Sequence, residues 1–116
     1  MNFFSKSSKG SFLNISEART ISFSIAAMIY KNDNPDFFLM NAERFLEDIF
    51  KKKHPNNSIK PEQSKQLVKL AITCFAEDKT LLDLFVNKKI PLSEIPSDIK
   101  SKSVAFNDEY LSSFLD

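Results

Sequence analysis

The sequence predicts an all-α domain, and three observations carry that prediction. Ile21–Tyr30 is an uncharged run whose apolar residues recur at helical spacing, later stretches repeat the same period, and nowhere do apolar and polar residues alternate as in a strand. The expected architecture is a compact bundle or orthogonal array of four to six short helices around a central apolar helix at about 16–31. Residues 1–14 are expected to form a flexible N-terminal arm and residues 15–116 a single helical domain.

In the central helix, Ala18, Ile21, Ile25, Met28 and Ile29 share one face, and Ile15, Phe23, Ala26 and Tyr30 widen it. Glu17, Thr20, Ser24 and Lys31 form a narrow polar strip, so other helices must wrap this one. Asn14 or Ser16 can cap it, and Glu17, three residues after Asn14, is placed to bond back in a capping box. Asn32-Asp33-Asn34-Pro35 is turn chemistry and ends the helix near Lys31.

Asn34-Pro35-Asp36 is also a start signal: a capping side chain, a proline at the first helical position and an acid facing the positive helix end. The second helix is predicted to run to about Lys53. Its residues Phe38, Leu39, Ala42, Phe45, Leu46, Ile49 and Phe50 fall within an arc of roughly 140°. Phe37 and Met40 lie outside that arc. Lys51, Lys52 and Lys53 occupy the last turn, where cations favour the negative end of the helix dipole.

After a loop at His54, Pro61-Glu62 opens a third helix to about Ala76, whose buried stripe is Leu67, Leu70, Ala71, Cys74 and Phe75, broadened by Val68 and Ile72. Asp78 is expected to cap a short fourth helix from Lys79 to about Asn87, burying Leu81, Leu82 and Phe85. Pro91 and Pro96 bracket a rigid connector pinned by Leu92 and Ile95. A final segment from Ser97 carries Ile99, Val104, Phe106, Leu111, Phe114 and Leu115, with a fresh helix start at Asn107-Asp108-Glu109.

Composition narrows the function classes. The chain has 116 residues, 42% of them apolar, with twelve Phe and no Trp, which suits one Phe-rich core. Sixteen Lys and Arg against fifteen Asp and Glu give a net charge of +1, which argues against a surface built for long-range attraction to nucleic acid or anionic membrane. Gly10 is the single glycine, so no glycine-rich phosphate cradle is available. The eleven residues of Thr20–Tyr30 fall short of the roughly twenty that span a bilayer. The N-terminus lacks the run of roughly seven or more apolar residues of a signal peptide, and the lone Cys74 cannot close an internal disulfide, so a cytoplasmic location is expected.

Chemistry-bearing residues are sparse. His54 is the only imidazole and is expected to be a solvated loop residue at a helix end, while one Cys and one His do not make a zinc cluster. Cys74 reads as a small core hydrophobe, and Glu43, Glu47 and Asp48 as a solvated helix face. No catalytic residue, metal or cofactor is therefore expected.

Binding is the function class left standing. Phe37 and Met40, one turn apart and off the main apolar arc, are the candidate protein-partner site, and Phe3, Phe4 and Phe12 could extend it. The chain is read as a non-enzymatic interaction module of bacterial or mobile-element type: an adaptor, secretion-chaperone-like factor, immunity protein or inhibitor. Self-association is a further option, because so many Phe compete for one small core. The alternative is a nucleic-acid-binding accessory protein using Lys51, Lys52, Lys53 and Lys60 for phosphate contacts.

Overall fold

Helix α1 (Ile15–Lys31) has water along barely one edge: Ala18, Ile21, Ser22, Phe23, Ile25, Ala26, Ala27 and Ile29 are all buried. In the computed structural model, which describes residues 14–56 and 59–115, the other helices are arranged around it, with no strand among the described residues. The aromatic residues Phe3, Phe4 and Phe12 of the predicted arm, and the side chain of Leu115, lie outside the described residues. Ser22, fully buried within α1, donates its hydroxyl to the Ala18 carbonyl at 2.6 Å and so carries no unmet donor into the core.

Asn14 caps α1 as predicted, its Oδ1 accepting from the Glu17 amide at 2.8 Å. Glu17 does not complete the box: its carboxylate reaches the Nε2 of His54 at 3.2 Å instead. His54 is accordingly half-buried, with its ring 4.9 Å from that of Phe50, and is not the freely solvated loop residue expected from its neighbours.

The helix predicted to run from Pro35 to Lys53 is broken at Asn41 into α2 (Pro35–Met40) and α3 (Ala42–Lys53). The Phe37 carbonyl there accepts both the Asn41 backbone amide at 3.2 Å and the Asn41 side-chain amide at 2.7 Å, a side chain folded back onto the preceding turn. Asn34 makes no side-chain cap bond on α2; Asn32 Oδ1 accepts from its amide at 2.8 Å and fixes the turn. Because His54, just past the end of α3, meets Glu17 at the start of α1, α3 returns antiparallel to α1, seating Ala42, Leu46 and Phe50 in the core.

Helix α4 (Pro61–Glu77) makes the most extensive packing against α1 and also lines α3, burying Ser64, Leu67, Leu70, Ala71 and Cys74. Ile72, expected to broaden that stripe, is instead 39% exposed, since the helices seated on α4 meet its Leu67–Cys74 edge. The predicted fourth helix has the expected extent but two geometries: α5 (Lys79–Leu82) continues as a π-helical turn, Asp83–Asn87, in which Phe85 sets its ring 5.2 Å from Phe23 of α1. The turn is closed by bonds from the Lys88 amide to the Asp83 carbonyl (3.1 Å) and from the Ile90 amide to the Leu84 carbonyl (3.0 Å). Between them Lys89 takes a left-handed φ of 57°, the position where a glycine would be at ease.

A 3-10 turn at Leu92–Glu94 and α6 (Ser97–Ser101) lead to α7 (Asp108–Leu115), which packs on α1 and α4. Asn107 caps α7 as predicted, accepting from the Tyr110 amide at 3.1 Å. Asp78 does not cap the helix that follows it. Its carboxylate, in a residue only 3% exposed, accepts from the amides of Val104 (2.8 Å) and Ala105 (3.0 Å) in the turn between α6 and α7. Arg19 of α1 holds the same turn: its Nε donates to the Ala105 carbonyl at 2.9 Å, its terminal nitrogen pairs with Asp108, and its guanidinium carbon lies 4.8 Å from the centroid of the Phe106 ring.

Two stability measurements follow. Asp78→Ala leaves two amides unmet behind a buried wall, and hydrogen bonds to a charged group contribute about 1.5–3 kcal/mol; urea titration is expected to show a loss of at least about 2 kcal/mol. A loss below about 0.5 kcal/mol would mean that Arg19 and packing hold the turn without Asp78. Lys89→Gly relieves a left-handed side chain and is expected to stabilise by about 1 kcal/mol, raising the melting temperature by about 4–8 °C; an unchanged or lowered melting temperature would show that Lys89 is not strained.

Candidate functional site

Helix α2 buries none of its residues fully, which is unusual for a segment of sequence PDFFLM. The reason lies in the arc: Phe38 and Leu39 turn inward as half-buried contacts, and the remaining large side chains must then point out. Phe37 is 54% exposed and Met40 is 86% exposed. Phe37 is nonetheless supported, its ring centroid 5.7 Å from Phe38 and 6.4 Å from Phe45, while Phe38 and Phe45 stack at 4.8 Å. The result is a half-exposed ring backed by two others, with a thioether beside it. Exposed Asp33, Asp36, Glu43 and Arg44 flank these residues along the chain.

The four candidate nucleic-acid lysines are all exposed: Lys51, Lys52 and Lys53 in the last turn of α3 and Lys60 immediately before α4. They stand where α3 ends and α4 begins, at the opposite end of α3 from Met40. Among the described residues none of the four enters an ion pair. Glu47 and Asp48, also exposed, stand one turn before them.

Cys74 is fully buried, as the sequence suggests. Burial pushes its thiol up from the ordinary 9.0 to about 12, and the neighbouring Asp78 carboxylate adds to the rise by its charge and by a hydrogen bond. Among the described residues no group of three or more His, Cys, Asp or Glu side chains is arranged to hold a metal ion. No helix among them is long and apolar enough to cross a membrane.

The sequence patterns single out no role for Arg19 and give Asp78 only that of a helix cap, although these two charged residues bond across the turn between α6 and α7. The available signal was position: Arg19 interrupts the most apolar helix of the chain directly beside Ala18, where a guanidinium needs a partner from another element. No protein-family model matches the chain, and comparison with curated proteins and with solved structures gives no match.

The thiol offers a direct check on the site chemistry. Because its folded-state pKa is raised, the Cys74 contribution to stability is intact below the unfolded value of 9.0 and is lost as pH rises from there towards about 12. Iodoacetamide at neutral pH is expected to leave the native protein unlabelled over hours and to label it rapidly in urea; prompt labelling of the folded chain would place the sulfur in a reactive, accessible setting.

Proposed function

We propose that this chain is a non-enzymatic protein-interaction module, of the adaptor, secretion-chaperone-like, immunity or inhibitor kind, that acts by covering a partner's surface with Phe37 and Met40 at the centre of the contact. The observation that carries the reading is the pair's exposure, 54% and 86%, on a helix with no fully buried residue. Burying a fully exposed Phe or Met contributes about 1.5–3 kcal/mol, of which Met40 has most and Phe37 about half still to gain from a partner, and such side chains dominate the centres of protein interfaces. Phe37 is held by Phe38 and Phe45, so little ordering entropy is lost when it binds. Met40, with its long unbranched side chain, can adapt to the partner's relief.

A second reading, a nucleic-acid-binding accessory role, draws on the exposed Lys51, Lys52, Lys53 and Lys60, which enter no ion pair among the described residues. The net charge of +1 and the adjacent Glu47 and Asp48 weigh against it.

Affinity capture from the native host with immobilised wild-type protein and with the Phe37→Asp/Met40→Asp double variant tests the first reading. The wild type is expected to retain a specific protein that the double variant loses, with helicity and melting temperature nearly unchanged between them. Retention by both removes these residues from the interface. Unfolding of the double variant would instead assign the pair to the core.

A further inference from the structure

The most deeply buried carboxylate described in this fold has no cation. The ion pairs among the described residues are Arg19–Asp108 and His54–Glu17, and neither involves Asp78. The Val104 and Ala105 amides satisfy part of its hydrogen-bonding capacity but supply no positive charge. Buried carboxylates are ordinarily paired with a cation or a metal.

Asp78 also lines a cleft of about 310 Å3, together with Glu77, Thr80, Leu81, Ile99, Lys102 and Ser103. Leu81 is buried and Ile99 half-buried, so they give the cleft an apolar wall, while Glu77 brings a second carboxylate to its exposed edge. The Ser103 hydroxyl already donates to the Lys100 carbonyl at 2.8 Å. Lys102 is exposed and lies within 4.0 Å of neither acid. The volume is at the lower end of the roughly 300–1,000 Å3 typical of small-ligand sites.

We propose that this cleft binds a primary alkylammonium or guanidinium group on a short apolar stem, as carried by a lysine or arginine side chain or by a free amine. The cationic head supplies the charge that Asp78 lacks, with Glu77 reinforcing it from the edge, and the stem lies along Leu81 and Ile99. A carboxylate has about four acceptor positions, of which the two amides take two, leaving capacity for a further N–H donor. Two acids against one lysine make the cleft unsuited to an anion. The site is separate from Phe37 and Met40 and does not depend on their role.

Titration of the full chain with n-butylammonium chloride, followed through the amide resonances of Val104, Ala105 and residues 77–81, tests the proposal. Saturable shifts are expected that neither n-butanol nor sodium chloride reproduces. Glu77→Gln is expected to weaken binding about threefold, and Lys102→Gln to tighten it about threefold by removing a like charge. Neither variant disturbs Asp78, whose replacement could unfold the turn. Absence of saturation, equal shifts with n-butanol, or weaker binding in Lys102→Gln would overturn the proposal, the last by identifying Lys102 as a positive contributor to the site. With binding established, Nα-acetyl-lysine amide and 1,4-diaminobutane distinguish the sources: tighter binding of the blocked lysine identifies a side chain, and of the diamine a free amine.

Discussion

The peptide unit at Ala105 is gripped from both sides. Its N–H goes to Asp78 and its carbonyl to Arg19, so a residue with no exposed surface joins α1 to the end of α4 through charged groups. That double grip fixes where the chain can enter α7, and α7 in turn covers α1 and α4 with Leu111. Hydrophobic burial supplies the larger free energy, but it is indifferent to small rotations of one helix on another. The directional bonds at Asp78 and Arg19 supply the registration that packing alone does not. Their location in the core makes them consequential: a carboxylate removed from water loses several kcal/mol of solvation, and its native donors must offset that loss.

Sequence patterns reveal this fold wherever the determining interaction is local. The 3.6-residue spacing of Ala18, Ile21, Ile25 and Ile29 requires no knowledge of partners, and neither do the caps, since Asn14 and Asn107 each bind an amide three residues on. Prolines 35 and 61 likewise mark helix starts through their own missing N–H. What escapes is choice among local options. Asn41 could sit inside one continuous helix or divide it into two, and Asp78 could cap α5 or reach residues 26 and 27 positions ahead. The decision lies with elements that are distant in sequence, so composition and periodicity do not contain it.

The candidate surfaces divide along the same line. That Phe37 and Met40 fall outside the apolar arc follows from angles on a helical wheel, and their exposure is the three-dimensional consequence. Ile72 illustrates the limit of such angles: it belongs to the apolar side of α4, yet whether it is covered depends on how far the neighbouring helices extend over it. The cleft beside Asp78 was invisible from the sequence because its walls come from the α4–α5 junction and from α6 with the turn after it, brought together by the fold. No spacing rule links Glu77 to Lys102.

The two surfaces also ask different things of the core. A projecting contact such as Phe37 and Met40 gains affinity when its support is rigid, because the entropy of ordering the anchor has already been lost on folding. Phe38 and Phe45 provide that support directly, within one short stretch of chain. A concave site around Asp78 depends instead on the relative placement of distant segments, and there rigidity comes from the hydrogen bonds to Val104 and Ala105. The same carboxylate thus builds the wall and leaves its charge uncompensated within it. Replacing it by a neutral group would alter the shape and the electrostatics of the cleft together, whereas Glu77 and Lys102, free of structural duty among the described contacts, govern its charge alone.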